Sequence, residues 1–490
     1  MLSTEATTEY CRDRLTLVTD DRSYANDFHP NISIPNFRDT WEYLQAQESD
    51  PLILQVTCRV CNKREASKAL IFFDVIGDGA ASVDMNHLQI FCSKKLYDDT
   101  YYKCLSFNDI KYTVNRGDII GVIGYPCRTA RNELSLQCLG LRLLAPCLHE
   151  VPRALEDPTA LRALCFIVDP LLKNVLRLRA KVLRFMRNYF DEEGFTEVDT
   201  PILVSDSGAN AEPFQTYYRD IKKTLNLRVA PELSLKQMVI AGMGRIYEIG
   251  KQFRNEGRDR THNPEFTSCE FYIPYATIED VVHVTERILS GCAMVAEDMG
   301  VLAPEIDWAP PYNCFDVITE LENITGHKIN PSLPEDELYT LLYSLVLQHK
   351  LISPASKLSI PKLYDLLISG LLEPMCHNPT ILYGHPSVMC PLAKPQADCP
   401  ALSQRFELFV KGKELCNAYS ELNNPVLQRQ TLNDQLKLQK DGEKEVITCD
   451  VSYCRAMEYA LPPTAGWGIG IDRLLMFLTN TGNISDVAWS

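Results

Sequence analysis

The feature that most constrains the fold is a pair of alternating stretches on either side of a polar loop. They are YEIGKQFR, residues 247–254, and EFTSCEFY, residues 265–272. Because side chains alternate between the faces of a strand, Arg254 lies on one face of the first, and Phe266, Glu270 and Tyr272 share a face of the second. If the strands pair, these groups line one surface. A solvated polar face is the alternative, which the phenylalanine disfavours.

A second hairpin is predicted in FELFVKGKELCNAYSEL, with its turn at Lys411-Gly412-Lys413. The residues that share one face of its second strand are Asn417, Tyr419 and Glu421.

Two carboxylates of this hairpin, Glu407 and Glu414, have the chemistry of a magnesium site, since Mg²⁺ prefers oxygen ligands and bound phosphates. Strand parity alone does not bring Glu414 beside Asn417, so this interpretation requires a bulge or a twist. A pair of solvated acids is the alternative.

The third constraining stretch is GWGIGIDR, residues 466–473, a glycine-rich strand that runs into a helix. Alternating glycines leave one strand face bare, so a flat ring could lie there, and Arg473 at the helix start could stack on an aromatic base. The spacing is neither G-x-G-x-x-G nor a P-loop. Together the three stretches predict a nucleotide site with an arginine and a metal at the phosphates, beside an acidic pocket.

Charge and cysteine usage limit the class of protein. The formal net charge of −15 argues against a protein that simply coats nucleic acid, although a local basic patch is allowed. No apolar run is long enough to cross a bilayer, and the N-terminus lacks the pattern of a secretory signal. The 18 scattered cysteines favour a reduced, cytosolic chain. The lone pair Cys58 and Cys61 lacks zinc-like partners, so no zinc is expected.

An α+β fold with two main domains is predicted. Residues 1–50 form a partly helical N-terminal segment, and the short strands of 51–148 suit a five-stranded OB-type barrel or an all-β packing module. Residues 149–165 are a linker, and 166–490 form a second domain on an antiparallel sheet, with a helical insertion around 275–400. The basic amphipathic helix near its start is interpreted as packed rather than membrane-bound.

These motifs resemble class II aminoacyl-tRNA synthetases, most closely the lysyl branch of the eukaryotic cytosolic type, over nearly the whole chain. The helix of residues 171–201 resembles motif 1, FRNEGRDRTHNPEFTSCEFY resembles motif 2, and GWGIGIDRLL resembles motif 3. The lysyl branch is indicated by RVAPELSLKQ, SGANAEPF and RFELFVKGKELCNAYSELN.

The resemblance implies a cytoplasmic homodimer whose N-terminal OB-fold binds the anticodon. It implies an ATP-dependent ligase that converts L-lysine and ATP to lysyl-adenylate and pyrophosphate, then transfers lysine to the 3′ end of tRNA(Lys), with Mg²⁺ as cofactor. Membership of a multi-synthetase complex and the choice between Phe72 and Phe73 as the base-stacking residue stay open.

Residue roles carried over from the family are as follows. The catalytic residues are Arg254 and Arg473, and the metal ligands are Glu407 and Glu414. The ATP-binding residues are Arg254, Glu256, His262, Asn263, Phe266, Glu407, Glu414, Gly470 and Arg473. The lysine-binding residues are Gly208, Glu232, Arg254, Glu270, Tyr272, Asn417, Tyr419 and Glu421.

Two rival functions are disfavoured by particular residues. A synthetase-like RNA-binding protein without catalysis would be expected to lack the motif arginines or the metal acids, and this chain has both. An aspartate or asparagine ligase would need a basic side-chain pocket, whereas Glu421 and Tyr272 suit a cation.

Overall fold

The structure is a computed structural model that describes residues 9–17, 24, 26–78, 84–101, 103–155, 161–205, 211–352, 358–440 and 451–489. The chain divides into two compact units, Met1–Arg177 and Leu178–Ser490. This division falls inside a helix that the sequence placed in the second domain. The predicted domain limits, 51–148 and 166–490, stay predictions.

The first unit contains two N-terminal helices, a barrel and a short C-terminal helix. Its elements are α1 (Glu9–Leu17), α2 (Ile34–Trp41), β1 (Leu54–Ser67), β2 (Leu70–Ile76), β3 (His87–Ser93), α3 (Phe107–Thr113), β4 (Ile119–Arg128), β5 (Leu134–Ala145) and α4 (Arg162–Val168). Helix α4 begins inside the stretch assigned to the linker. The helix α5 (Leu171–Glu192) begins in this unit and ends in the next.

The barrel confirms the predicted OB-type architecture. Within the described residues, five strands close in the order β1-β2-β3-β5-β4, with β3 and β5 parallel and the other neighbours antiparallel. Strand β3 was missed, although Leu88, Ile90 and Cys92 alternate inward along it. Cys58 packs in the barrel core, and Cys61 is half-buried on the same strand.

The two adjacent phenylalanines of β2 point in opposite directions. Phe73 is wholly buried in the barrel core. Phe72 faces outward, with its ring centroid 6.0 Å from that of Phe91 and 5.6 Å from the guanidinium carbon of Arg64. Of the two residues that the sequence left open, only Phe72 has a ring on the outer face of the barrel.

The second unit is built on one large sheet. It contains β6 (Thr196–Glu197), β7 (Leu203–Val204), β8 (Gln215–Tyr218), β9 (Lys223–Leu227), α6 (Glu232–Ile240), β10 (Ile246–Phe253), β11 (Glu265–Pro274), α7 (Ile278–Asp298), β12 (Asn313–Asp316), α8 (Val317–Thr325), α9 (Glu335–Gln348), α10 (Ile360–Leu367), β13 (Thr380–Tyr383), β14 (Arg405–Val410), β15 (Lys413–Ser420), α11 (Pro425–Lys440), α12 (Val451–Met457), β16 (Thr464–Gly470) and α13 (Ile471–Thr479).

The sheet is mainly antiparallel, as predicted. Its described strands run in the order β12-β13-β14-β15-β16-β11-β10-β6, and only the two outermost pairs are parallel. Helix α5 packs against it through Phe190, whose ring stacks on Tyr247 at 4.4 Å. A small sheet of β7, β9 and β8 forms separately.

The helical insertion connects two parallel strands. Strands β12 and β13 pair in parallel, and parallel neighbours need a crossover connection. Helices α8, α9 and α10 supply it, and they pack around an apolar cluster that includes Leu321, Leu342 and Tyr364. Both strands lie inside the range that the sequence assigned to helices, because each is too short to show a clear alternation.

Among the described residues, no helix has the combination of length and apolar character that crossing a membrane requires.

Candidate functional site

A cleft of about 590 Å³ opens on the large sheet of the second unit. It brings together every predicted site residue that the structure describes. These lining residues are Glu232, Arg254, Glu256, His262, Asn263, Phe266, Glu270, Tyr272, Glu407, Glu414, Asn417, Tyr419, Glu421, Gly470 and Arg473. The predicted residue Gly208 lies outside the described residues. The individual roles of these residues stay predictions.

The cleft floor is set by the register of the strands. Strand β16 lies between β11 and β15, and Gly468 pairs with Glu270 on one side and with Asn417 on the other. The next row along places Gly466 between Tyr272 and Tyr419 in the same way. Because opposed residues in adjacent strands point to the same face, each row forms a polar band across three strands.

Two glycines of β16 allow this arrangement. A Cβ at position 466 would lie 2.2 Å from Oε1 of Glu421 and 2.6 Å from Cε1 of Tyr272. A Cβ at position 468 would lie 3.3 Å from Cγ of Glu270. The prediction of a bare face for a flat ring is therefore wrong at position 466, where acidic-pocket side chains occupy the space, and at position 468 Glu270 lies close by. At Gly470 the nearest atom to such a Cβ is Cβ of Arg473, 4.0 Å away.

One end of the cleft is an acidic pocket. Glu421 is 1% exposed, and burial raises the pKa of its carboxyl group to about 8. Burial also raises the pKa of Glu270 to about 8, with the charges of Glu232 and Glu248 acting in the same direction. The hydroxyl of Tyr272 lies 3.5 Å from Oε2 of Glu270, and the hydroxyl of Tyr419 donates to Glu232. Removing these acids from water is unfavourable unless cations accompany them.

Lys236 is a buried partner of two pocket acids that the sequence analysis missed. It lies on α6, is wholly buried, and places Nζ 2.6 Å from Oε1 of Glu232 and in an ion pair with Glu421. Its spacing of four residues from Glu232 is a helical ion-pair pattern, which was the available sequence signal.

The late hairpin contains the bulge that the magnesium interpretation required. Glu407 pairs with Asn417, but after Leu408 the register shifts, so that Phe409 pairs with Glu414 and Leu415 is the extra residue. The shift places both carboxylates at the cleft. The turn residues Lys411 and Gly412 have φ values of 50° and 69°, as a two-residue hairpin turn requires.

Arg405 is a second residue that was missed. Its Nε donates to Oδ1 of Asn417 at 2.9 Å, and its guanidinium forms an ion pair with Glu407. Burial tends to raise the pKa of Glu407, but Arg405 and His385 outweigh it and hold the pKa at about 2. In contrast, burial and the charge of Glu407 raise the pKa of Glu414.

The opposite end of the cleft is cationic. The guanidinium of Arg254 lies over the ring of Phe266, 5.2 Å from its centroid. Arg473 places Nη2 2.8 Å from Nε2 of His262 and donates through Nη1 to the carbonyl of Glu414 at 2.7 Å. Because arginine only donates, Nε2 of His262 accepts, and its Nδ1 carries the proton toward Asp259.

Asp472 fixes the start of α13 beneath this cationic end. Its Oδ2 accepts from the backbone N–H of Thr267 at 2.8 Å, and its Oδ1 forms an ion pair with Arg179 of α5. At the helix start, Asp472 therefore anchors the helix, and Arg473 lies at the cleft. The cleft as a whole suits a ligand with cationic groups at one end and anionic groups at the other.

Comparison with known proteins agrees with this geometry. Residues 158–489 match the family model of class II tRNA synthetases for D, K and N. The chain is 37% identical to a lysine–tRNA ligase of Cladosporium cladosporioides, over 95% of this chain and 80% of the relative. It is 36% identical to a probable cytoplasmic lysine–tRNA ligase of Vairimorpha ceranae, over 98% and 95%. A lysine–tRNA ligase of Prochlorococcus marinus is 35% identical, over 95% and 91%. The chain therefore belongs to the lysine–tRNA ligase family of class II tRNA synthetases.

Proposed function

We propose that this chain activates L-lysine with ATP and transfers the lysyl group to the 3′ end of tRNA(Lys). The observation that carries the proposal is the position of Glu421, a buried carboxylate in the cleft that also contains Arg254. One cleft thus offers an anionic pocket for a cationic side chain and an arginine for phosphate. The relatives named as lysine–tRNA ligases support the same assignment.

The first step joins the lysine carboxylate to the α-phosphorus of ATP, and the bond from that phosphorus to pyrophosphate breaks. The carboxylate is already ionised near neutral pH, so the attack needs no protein base. Catalysis then depends on alignment and on neutralising charge at the phosphate, which we assign to Arg254. In the second step the terminal ribose hydroxyl attacks the carbonyl carbon, and AMP leaves.

The nucleotide is assigned to the cationic end of the cleft. Adenine lies between Phe266 and Arg473, because a ring and a guanidinium both stack on a base. Arg254 leaves its position over Phe266 and turns to the α-phosphate in this arrangement. The remaining contacts to the nucleotide are assigned to Glu256, His262, Asn263 and Gly470.

Lysine is assigned to the acidic pocket. Glu421 and Tyr272 receive the ε-ammonium, while Glu232 and Gly208 receive the α-ammonium. The carboxylate meets Arg254 and Asn417, whose amide is oriented by Arg405. The acids and phenols that complete the pocket are Glu270 and Tyr419. A neutral side chain would leave a buried carboxylate unpaired, so the pocket rejects it.

The residues of the hairpin fit a magnesium ion bound with ATP. Glu407 and Glu414 both offer carboxylate oxygens at the cleft. Burial and then the charge of Glu407 raise the pKa of Glu414, and a bound dication would favour its ionised form. The ion would neutralise charge on the phosphates of ATP. Arg405 already pairs with Glu407 and keeps that carboxylate ionised.

The outer face of the barrel is assigned to the tRNA anticodon. Phe72, Phe91 and Arg64 form a row of two rings and a guanidinium on neighbouring strands. Unpaired bases stack on such groups, and Arg64 adds attraction to phosphate. This local site is compatible with an acidic chain, because only the contact face needs positive charge.

We also assign a homodimer in the cytoplasm. The small sheet and the turn within it expose Leu203, Tyr217, Tyr218 and Ile221, which are 45–59% exposed. Large apolar side chains exposed on a short sheet favour an interface between protein chains. The relatives from Vairimorpha ceranae and Encephalitozoon cuniculi are named as cytoplasmic, which supports the location.

Pyrophosphate exchange with each amino acid tests the proposed reaction. Lysine should drive exchange with the wild-type chain. Glu421→Gln should lower kcat/KM for lysine about 100-fold, because a charge-assisted hydrogen bond contributes up to about 3 kcal/mol. The control is Glu265→Gln on β11, an exposed acid that should leave exchange unchanged. Exchange driven by aspartate but not by lysine would overturn the proposed function. If Glu421→Gln discriminates between lysine and the other amino acids as well as the wild type does, Glu421 does not receive the ε-ammonium.

The magnesium assignment predicts an effect on metal requirement. Glu414→Gln should raise the Mg²⁺ concentration for half-maximal exchange by roughly several-fold, because the ion loses one charged ligand. The KM for lysine should stay constant. An unchanged magnesium requirement would contradict the assignment.

The barrel assignment predicts that a substitution on its outer face weakens tRNA binding without affecting lysine activation. Phe72→Ala should raise the KM for tRNA about tenfold, since stacking on a base contributes roughly 1–3 kcal/mol, and should leave pyrophosphate exchange unchanged. Tyr112→Ala, which truncates an exposed ring on α3, is the control and should change neither. An unchanged KM for tRNA in the Phe72 variant would exclude this face.

Sedimentation equilibrium of the full chain tests the dimer. The wild type should sediment as a dimer at micromolar concentration, and Tyr217→Asp together with Ile221→Asp should produce monomer, because two charges would be buried without partners. Met294→Asp, at an exposed position of α7, is the control. A monomeric wild type would contradict the assignment.

A further inference from the structure

Lys236 is a wholly buried lysine that pairs with two acids of the pocket but does not itself line the cleft. Its Nζ lies 2.6 Å from Oε1 of Glu232 and is ion-paired with Oε2 of Glu421. The rings of Tyr419 and Tyr453 lie within 5.3 Å and 5.9 Å of the same nitrogen. Burying a charged lysine is unfavourable in free energy unless the charge is paired. An electrostatic role therefore explains Lys236 better than packing alone.

The formal charges of the pocket do not cancel. Three carboxylates, Glu232, Glu270 and Glu421, face one ammonium, Lys236, so two negative charges remain when all are ionised. The proposed substrate has two ammonium groups, and its carboxylate is matched separately by Arg254. The pocket without Lys236 would hold three negative charges against the same two cations.

The ion pair with Lys236 is made by one of the two carboxylate oxygens of Glu421. Oε2 is the oxygen of that ion pair, and Oε1 lies outside it. Both oxygens are buried, and neither has a hydrogen-bond donor of good geometry among the described residues. Oε1 lies directly over Gly466, where a Cβ would be 2.2 Å away. A buried, unpartnered carboxylate oxygen is an acceptor for a ligand that brings its own donor.

We propose that Lys236 is a built-in counter-ion that holds Glu421 and Glu232 in place and leaves the ionised pocket with two uncompensated negative charges. The pocket thereby selects amino acids that carry two ammonium groups. Lys236 acts through Glu421 and is therefore a positioning residue, with no direct contact to the substrate required. This inference rests on the proposed lysine activation.

The charges around Glu421 agree with this role. Burial raises its pKa to about 8, Lys236 lowers the pKa, and Glu232 and Glu270 raise it. The other titratable groups that surround the pocket are Tyr272, Tyr419 and Tyr453, whose pKa values are all raised by burial, so they stay neutral near pH 7. Burial acts to lower the pKa of Lys236, but Glu232 and Glu421 outweigh it and raise the pKa, so Lys236 stays charged.

The test is the pH profile of kcat/KM for lysine in pyrophosphate exchange. Glu421 must be ionised to receive the ε-ammonium, so activity falls as pH drops through its pKa. Lys236→Met removes the charge that lowers this pKa, and the acid limb should move to higher pH by about one unit. Because one unit is tenfold below the limb, kcat/KM for lysine should fall about tenfold at pH 6, with the KM for ATP unchanged.

Three further variants separate charge from packing. Lys236→Arg keeps the charge and should leave the limb in place even where its larger group lowers kcat. Glu232→Gln removes a neighbouring negative charge and should move the limb to lower pH. Val239→Ala loosens the packing of the same helix at a buried apolar position and should leave the limb unchanged.

An unshifted acid limb in Lys236→Met would overturn the counter-ion role. If Lys236→Met does not fold, Glu232→Gln is the deciding variant. An acid limb that does not move to lower pH in Glu232→Gln would contradict the proposal that nearby charges set the pKa of Glu421. A limb that also shifts in Val239→Ala would mean that packing, not charge, controls the profile. Failure of the wild type to activate lysine would instead reject the proposed function itself, so the two failures are distinguishable.

Discussion

The cleft depends on the close approach of side chains to the backbone of β16. At Gly466 a Cβ would collide with Glu421 and Tyr272, and at Gly468 one would press against Glu270. Because β16 lies between β11 and β15, a side chain at either of these two positions would separate the polar residues of the neighbouring strands. The two glycines therefore determine that acids from separate strands form one pocket instead of two isolated surface groups.

Bringing these acids together creates the electrostatic problem that the rest of the site addresses. Buried carboxylates lose hydration and also repel one another, which raises the pKa values of Glu270 and Glu421 to about 8. Lys236 compensates part of this charge from within the fold. The remainder is compensated by the ligand, so the unfavourable burial of charge in the empty pocket becomes selectivity for a cationic substrate.

Much of the site was predictable because it follows from strand parity and short spacing. The pairing of β10 with β11, the hairpin of β14 and β15 and the strand-to-helix run into α13 all follow from local alternation. The bulge at Leu415 was inferred as a requirement, and the structure contains it. Arg405 was missed because its role depends on a cross-strand contact with Asn417, twelve residues away.

The sequence by itself determined the fold class, the family and many of the residues that line the cleft, because alternation and motif spacing are local properties of the chain. Only the tertiary structure decided that Lys236 pairs with the acids of the pocket, that Gly466 and Gly468 make room for acids, and that Phe72 faces outward while Phe73 is buried. Such distinctions depend on which distant segments approach each other within a few ångströms. Burial and charge neutralisation are set by those approaches, and no single segment contains them.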